Sequence, residues 1–297
     1  MTPATRFFGC GTALATPFTT DGAIDEPALR AMVDWQIDEG VHFLVPCGST
    51  GEAATMTVAE HRRVVEIVVE QARGRVPVVA GAGSNDTHKA IALSAEMRKA
   101  GATHLLHVSP MYNKPPQRGI IAHFRAITDS TDLPVIVYNV PGRTGSNIEA
   151  RTTLALAEIP SIIAVKEASG NLGQIMDIIR DRPERFSVLS GDDSLTLAVM
   201  AAGGDGIVSV VSNATPKPMA RLVECCRSGD FAAARALHEQ LTPWMRAAFI
   251  ESNPIPVKAA LAMLGRARNV LRLPLVPLRD ELAPDVRAAL VTAGALA

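Results

Sequence analysis

Residues 162–170 read Ile-Ile-Ala-Val-Lys-Glu-Ala-Ser-Gly, and this stretch decides the fold. Its first four residues are apolar and mostly β-branched, which is typical of a buried strand. Lys166 ends the run, and a Ser-Gly pair typical of a turn follows soon after. Burial lowers the pKa of a lysine toward neutrality, and a neutral amine attacks carbonyl carbons. The stretch therefore suggests Schiff-base chemistry at Lys166. The alternative is a lysine that reaches water or pairs with a carboxylate.

Strand-like segments recur along the first two thirds of the chain and alternate with helical ones. The predicted strands are Thr12–Pro17, Val41–Pro46, Val76–Gly81, Thr103–Ser109, Pro134–Asn139, the run that ends at Lys166, Phe186–Ser190 and Gly206–Val211. Eight such repeats of about 20–35 residues predict an α/β fold, the (β/α)8 TIM barrel. A doubly wound open sheet is the competing architecture. It would normally show a glycine-rich phosphate turn after the first strand, where this chain has Thr16-Pro17-Phe18-Thr19.

Helix signals support the same alternation. Asp25 starts a helix that Gly40 ends, and Thr57 with Glu60 forms a capping box for a helix through Arg73. From about Thr215 onward the pattern is helical, with no strand after it. We therefore expect the barrel core over residues 1–214. Residues 215–297 would form a barrel-closing helix and a C-terminal helical extension.

The composition limits the kinds of partner. The 297 residues are 47% hydrophobic and 20% charged, which fits a globular, enzyme-like protein. A net charge of −1 without basic blocks argues against nucleic acid, and no apolar run is long enough to span a membrane. The N-terminal residues lack the order of a signal peptide, and the four cysteines show no metal or redox spacing. We expect a cytoplasmic protein.

In a TIM barrel the residues at the carboxyl ends of the strands form the active face. This rule selects Ser49, Thr50, Tyr112, Tyr138, Arg143, Lys166, Gly191 and Asp192. A phenol near a lysine can relay protons, which gives Tyr138 a candidate role. Arg143 can hold a carboxylate with two hydrogen bonds, or be a solvated loop residue. The hydroxyls and backbone N–H groups around Ser49 and Thr50 can likewise hold an anion, or form an ordinary turn.

Two acidic or histidine-containing patterns are interpreted as structural. Asp192 and Asp193 are expected to cap the following helix rather than to bind a metal. His104 and His107 lie three apart on a strand, so they point to opposite faces and cannot chelate one ion. No other spacing resembles a metal site, and we expect none.

Five segments together resemble the dihydrodipicolinate synthase / N-acetylneuraminate lyase family. They are residues 48–52 (Gly-Ser-Thr-Gly-Glu), 138–145 (Tyr-Asn-Val-Pro-Gly-Arg-Thr-Gly), 165–171 (Val-Lys-Glu-Ala-Ser-Gly-Asn), 190–193 (Ser-Gly-Asp-Asp) and 253–258 (Asn-Pro-Ile-Pro-Val-Lys). The similarity extends over nearly the whole chain, roughly from Phe8 to Leu282. Within the family, the segments that contain Arg143 and Tyr112 resemble those of the synthases. The lyases usually lack the arginine. The resemblance implies condensation of pyruvate with aspartate semialdehyde in lysine biosynthesis.

The resemblance also implies the proton-handling residues. Lys166 would form the Schiff base with pyruvate, and Tyr138 would shuttle protons. Ser49, where the synthases usually have a threonine, would link Tyr138 to Tyr112. In the family that last tyrosine crosses a dimer interface, so Tyr112 would serve the neighbouring subunit of a homotetramer built from two dimers. No metal or organic cofactor is implied, because the lysine itself is the electron sink.

The remaining implied roles concern substrate binding. Thr50 would hold the pyruvate carboxylate, and Arg143 would bind the carboxylate of aspartate semialdehyde. The backbone carbonyls of Gly191 and Val208 would face the incoming substrate and the nucleophile.

Departures from the family pattern keep alternatives open. A serine at position 49 is also common in the lyases, so a pyruvate-dependent aldolase or lyase acting on a sugar acid remains an alternative. A non-catalytic barrel that binds a keto acid is a third interpretation. At the site where bacterial synthases bind lysine as a feedback inhibitor, Lys89 replaces a glutamate and Met111 replaces a tyrosine, while His61 and Asn85 match. Because Lys89 would repel a lysine ammonium, we expect an enzyme insensitive to lysine.

Overall fold

Eight parallel strands form the centre of the molecule in the computed structural model, which describes residues 6–297. They are β1 (Gly9–Ala13), β2 (Phe43–Val45), β3 (Val79–Gly81), β4 (His104–Val108), β5 (Val135–Asn139), β6 (Ile162–Glu167), β7 (Ser187–Ser190) and β8 (Gly206–Ser209). Their order in the sheet is β2-β1-β8-β7-β6-β5-β4-β3, and a parallel bridge from Leu44 to Val78 joins its two ends. This closure confirms the predicted TIM barrel and excludes the open sheet.

Helices surround the barrel and continue beyond it. They are α1 (Glu26–Asp38), α2 (Val58–Ala72), α3 (Thr87–Lys99), α4 (Gln117–Thr128), α5 (Pro141–Thr144), α6 (Ala150–Ala157), α7 (Leu172–Asp181), α8 (Thr196–Ala201), α9 (Pro216–Arg227), α10 (Phe231–Ala247), α11 (Ile255–Met263) and α12 (Ala283–Thr292). The side chain of Asp25 accepts a hydrogen bond from the first turn of α1, and Thr57 forms the reciprocal capping box with Glu60. Both predicted helix starts are therefore confirmed.

The strands separate two apolar clusters. On β6, Ala164 packs inside the barrel, whereas Val165 joins the larger cluster between strands and helices. Alternate residues of a strand point to opposite faces, so Lys166 shares the inner face with Ala164. The pattern of residues 162–167 therefore aims the lysine along the barrel axis toward the carboxyl end of the sheet.

The first strand lies earlier than predicted, at Gly9–Ala13 instead of Thr12–Pro17. Glycine is a poor strand former, so the local pattern gave no reason to begin the strand at Gly9-Cys10-Gly11. The reason for a glycine lies in the neighbouring strand. A Cβ at Gly11 would come within 1.9 Å of the Phe43 ring, so only glycine lets β1 and β2 pair around that ring.

Four helices follow the last strand and confirm a C-terminal helical extension. Its main anchor is Trp244 of α10, which is fully buried and donates an indole N–H to the Val211 carbonyl oxygen at 3.1 Å. Helix α12 lies within the predicted extension but was not recognised as a separate helix, because Ala283–Thr292 lacks a pronounced apolar stripe. The division of the chain at residue 214 stays a prediction. None of the helices in residues 6–297 combines the length and apolar character that crossing a bilayer requires.

Candidate active site

The predicted lysine and tyrosine face each other at the carboxyl end of the barrel. Strands β5 and β6 pair in parallel with Tyr138 directly opposite Lys166. The Lys166 Nζ lies 4.1 Å from the centroid of the Tyr138 ring. A cavity of about 800 Å³ opens above them, and both side chains line it. The register of two neighbouring strands thus brings an amine and a phenol to one concave site.

Lys166 combines deep burial with access to this cavity. Its relative exposure is 5%. Burial disfavours the ammonium and lowers the pKa of Lys166 to about 8, with a smaller contribution in the same direction from Arg143. The carboxylates of Asp193 and Asp192 oppose this shift. The amine is therefore neutral far more often at pH 7 than that of a surface lysine.

Tyr138 is buried in the same wall of the barrel. Burial raises the pKa of its phenol to about 12, so the hydroxyl carries its proton at neutral pH. Among residues 6–297 no hydrogen bond joins this hydroxyl to Ser49, whose side chain is exposed at the rim of the cavity. The phenol is thus available to a bound molecule, and the relay through Ser49 stays a prediction.

The interpretation of Asp192 and Asp193 as helix caps is wrong. Neither carboxylate accepts a hydrogen bond from a backbone N–H group at the start of the helical segment that follows them. The buried carboxylate of Asp193 accepts hydrogen bonds from the Ser209 hydroxyl and from the Val210 N–H at 3.0 Å. Both donors face the Asp193 carboxylate because strand β8 ends beside it. Burial raises the pKa of Asp193 to about 6, against the effect of these hydrogen bonds. Asp193 is therefore mostly ionised at pH 7, and its charge favours the ammonium form of Lys166.

The turn after β2 supplies a hydroxyl to the cavity. Thr50 is buried, and its Oγ1 accepts a hydrogen bond from Asn253 Nδ2 at 2.8 Å. Ser49 precedes it and also lines the cavity. The two predicted hydroxyl residues are therefore brought to the same site as Lys166.

Arg143 and Gly191 complete the lining that the sequence predicts. Arg143 lies on the one-turn helix α5, where a polar turn was expected, and its Nη2 is 3.4 Å from the Asn253 carbonyl oxygen. Gly191 lines the cavity, and a Cβ there would come within 3.1 Å of Lys166 Cε. A side chain at position 191 would crowd the lysine. Val208 lies deeper, in the barrel interior, and Val210 lines the cavity in its vicinity.

Tyr112 is not brought to the cavity of its own chain. Its relative exposure is 88%, and it is absent from the lining. The backbone is held in place, since Tyr112 N donates to the Thr144 carbonyl oxygen at 3.1 Å with a φ of +73°. A left-handed φ is uncommon for a tyrosine, and it directs this side chain away from the barrel into solvent.

The sequence reasoning missed a buried ion pair beside the cavity. Lys258 on α11 has a relative exposure of 1% and pairs with the fully buried carboxylate of Glu52, which lines the cavity. Lys258 Nζ also donates to the Val270 carbonyl oxygen at 2.8 Å, and Glu52 accepts from the Arg272 N–H at 3.0 Å. Glu52 has a φ of +57°, a costly conformation for a non-glycine residue unless its surroundings hold it. A charged residue inside the apolar run Ile255–Met263 was the available signal.

The polar groups around the cavity come from many strand ends, but they do not form a metal cage. Over the described part of the chain, no group of three or more histidine, cysteine or acidic side chains is arranged to hold a metal ion. The site offers instead a partly neutral amine, a protonated phenol, hydroxyl groups and a guanidinium. This set is suited to capturing a carbonyl compound that carries a carboxylate.

Comparison with known proteins agrees with this geometry. The model of the dihydrodipicolinate synthetase family matches residues 6–293. A 4-hydroxy-tetrahydrodipicolinate synthase of Koribacter versatilis is 53% identical over 274 residues, which cover 92% of this chain and 91% of that protein. A solved monomeric variant of dihydrodipicolinate synthase is 40% identical, with a TM-score of 0.96 and 99% of each chain covered. The chloride-inhibited enzyme of Acinetobacter baumannii, solved in complex with pyruvate, is 38% identical, with a TM-score of 0.96 and coverage of 97% and 99%.

Proposed function

Because this chain belongs to the dihydrodipicolinate synthetase family, we infer that it catalyses the 4-hydroxy-tetrahydrodipicolinate synthase reaction, the condensation of pyruvate with aspartate semialdehyde. This reaction is a step of lysine and diaminopimelate biosynthesis. The observation that carries the inference is the pairing of Lys166 and Tyr138 across β5 and β6 in a cavity that also contains Thr50 and Arg143. Each of these four residues would have a distinct role in the reaction.

Lys166 is the nucleophile of the first step. Its neutral amine adds to the keto carbon of pyruvate, and loss of the keto oxygen as water leaves an iminium. Loss of a proton from the pyruvate methyl group then gives an enamine. The pKa of about 8 supports this role, because an amine of ordinary basicity would be almost entirely protonated at pH 7.

Tyr138 moves the protons of these steps. Its phenol lies beside the amine and keeps its proton at neutral pH, so it can protonate the departing hydroxyl and recover a proton afterwards. Ser49 would pass protons between Tyr138 and a second phenol, Tyr112. Since Tyr112 points away from its own cavity, that second phenol would come from a neighbouring subunit.

The second substrate binds at the mouth of the cavity. Arg143 holds the carboxylate of aspartate semialdehyde, while Thr50 holds that of pyruvate. The enamine carbon attacks the aldehyde carbon and forms the new carbon–carbon bond. The substrate amine then adds to the iminium carbon, the ring closes and Lys166 leaves as the free amine. Carbonyl oxygens of Gly191 and Val208 would accept hydrogen bonds from the reacting groups. The whole sequence releases one water.

Two further predictions concern the assembly and location of the protein. A homotetramer built from two dimers would place each Tyr112 at its neighbour's site. A dimer is the smallest assembly that completes this proposed relay, whereas one similar solved structure is of a monomeric variant. The cytoplasm remains the predicted location.

Borohydride reduction tests the first step directly. With pyruvate present, reduction should trap the imine as a stable amine, and mass spectrometry should locate the added mass on Lys166. Lys166→Met is the control, and it should give no adduct and no turnover. An adduct on a different lysine, or none at all, would remove the proposed nucleophile.

A coupled assay tests the choice of substrate. The enzyme should turn over pyruvate with aspartate semialdehyde and should not cleave N-acetylneuraminate. The relatives do not favour the sugar-acid lyase alternative. Arg143→Met should raise the KM for aspartate semialdehyde, while the adduct should still form at Lys166 with saturating pyruvate at pH 9, where the amine is largely neutral in both proteins. A loss of adduct formation in that variant would place the guanidinium on the wrong substrate.

A further inference from the structure

Asn253 connects the C-terminal extension to both proposed carboxylate-binding residues. It lies between α10 and α11, it lines the cavity, and its relative exposure is 5%. Its side chain contacts Thr50, and its backbone carbonyl oxygen faces Arg143. The proposed reaction steps by themselves give Asn253 no role.

The direction of the contact with Thr50 is informative. In the amide orientation of this structure, Asn253 Nδ2 donates to Thr50 Oγ1 at 2.8 Å, because an amide nitrogen carries two hydrogens and accepts none, and Asn253 Oδ1 is left buried without a hydrogen-bond partner among the described residues. A threonine hydroxyl has one hydrogen to donate. In this arrangement that hydrogen is not used by Asn253 and remains free for an anion in the cavity.

The segment that carries Asn253 is fixed to the same turn at a second point. Lys258, five residues further on, forms the buried ion pair with Glu52, which lies two residues after Thr50. Two contacts between the same two segments restrict their relative motion more than either contact alone. The amide of Asn253 is therefore held at a defined distance from the Thr50 hydroxyl.

We propose that Asn253 is a positioning residue for pyruvate, since its amide orients the Thr50 hydroxyl so that the proton is directed at the pyruvate carboxylate. This inference rests on the proposed role of Thr50. The pyruvate site would then hold its carboxylate through a neutral hydroxyl whose direction is set by the extension. The contact with Arg143 involves only the backbone of Asn253, so side-chain variants leave it in place.

A double-mutant cycle tests the proposal, with the half-saturating pyruvate concentration for borohydride trapping at Lys166 as the readout. Thr50→Val removes the hydroxyl and should raise this concentration roughly 10- to 100-fold, the effect of losing a hydrogen bond to a charged group. Asn253→Ala frees the hydroxyl to rotate and should raise it about fivefold or more. In the double variant the effect should match that of Thr50→Val alone, because Asn253 acts through the hydroxyl.

An isosteric variant checks the direction of the hydrogen bond. In Asn253→Asp the carboxylate would accept the Thr50 proton and withdraw it from pyruvate. Trapping should therefore be weaker than in Asn253→Ala, even though the shape is preserved. The matched control is Asn171→Ala, which removes a helix-capping amide outside the cavity lining and should leave pyruvate binding unchanged.

The outcomes separate this inference from the proposed function. If Thr50→Val weakens trapping but Asn253→Ala and Asn253→Asp do not, the positioning role is wrong and the role of Thr50 stands. Additive effects in the double variant would also overturn it. If Thr50→Val has no effect while Lys166 is still trapped, the assignment of Thr50 fails, and the inference fails with it. Should Asn253→Ala not fold, the comparison of Asn253→Asp with the wild type decides.

Discussion

The pH dependence of pyruvate capture should report the environment of Lys166. With a pKa of about 8, about one lysine side chain in ten is neutral at pH 7, since 10^(7−8) is about 0.1. At the ordinary value of 10.5 the fraction would be about 0.0003, so burial increases the reactive form about 300-fold. The rate of adduct formation at low pyruvate should therefore rise about tenfold per pH unit below pH 8 and then level off.

Charge substitutions around the lysine should move this profile in opposite directions. Asp193 favours the ammonium, so Asp193→Asn should lower the apparent pKa. Arg143 disfavours it, so Arg143→Met should raise the apparent pKa. Shifts of roughly one unit or less are expected from a single neighbouring charge. At pH 7 they correspond to changes of up to about tenfold in the neutral fraction.

The assay is rapid mixing with pyruvate followed by borohydride quench, with the modified fraction measured by mass spectrometry from pH 6 to pH 10. Lys99, an exposed lysine that pairs with Glu96, provides an internal reference for non-specific reduction. A rate that keeps rising beyond pH 9 would contradict a lysine pKa near 8. Shifts of the same sign in both charge variants would refute the electrostatic reasoning.

Three further predictions concern the ion pair, the exposed tyrosine and the effector site. Lys258→Met leaves the Glu52 carboxylate buried without its partner and should lower the free energy of unfolding by roughly 3–5 kcal/mol, measured by chemical denaturation. The double change with Glu52→Gln should recover part of this loss, and an unchanged single variant would contradict the ion-pair argument. Tyr112→Phe should lower turnover without changing the melting temperature, and mixing its subunits with Lys166→Met subunits should restore activity at up to about a quarter of the sites. Failure of the mixture to regain activity would place the relay within one chain. Millimolar lysine should not inhibit the enzyme, and Lys89→Glu should increase its response to lysine; clear inhibition of the wild type would reject the prediction.

The residues at the strand ends could be predicted because the alternation of side chains along a strand is visible in a short stretch of sequence. In a parallel barrel, the carboxyl ends of all the strands then lie on the same face. The stretch 162–170 predicts both the buried strand and the direction of Lys166, and the barrel rule then brings Tyr138 and Arg143 to the same face. By contrast, Gly9-Cys10-Gly11 was not recognised as a strand. Gly11 makes room for the Phe43 ring and Gly9 for the His42 side chain, both more than 30 positions away, and local propensity carries no such information.

The contacts made by the C-terminal extension could not be predicted from local sequence patterns either, because their partners are distant in the sequence. Asn253 and Thr50 are separated by 203 positions, and their hydrogen bond depends on how α10 and α11 fold back over the barrel mouth. The motif 253–258 was visible as part of the family resemblance, but its physical role was not. Lys258 is an example, because the sequence does not show that its partner is Glu52. The pairing is identified only from the fold, in which the two side chains are buried together.

The negative charge of Asp193 should have opposite effects on two successive steps, the attack of the Lys166 amine and the formation of the iminium. Ionised Asp193 favours the ammonium and thereby reduces the fraction of neutral amine, which would slow the proposed capture of pyruvate. The same charge should stabilise the iminium that capture produces, because that species is also a cation. In the proposed reaction pyruvate brings another negative charge, and a neutral donor such as the Thr50 hydroxyl would bind it without placing a cation next to the Lys166 amine. In Asp193→Asn we therefore expect faster capture at pH 6–7 but a smaller equilibrium yield of adduct. If rate and yield fall together, the carboxylate does not act through its charge on the lysine.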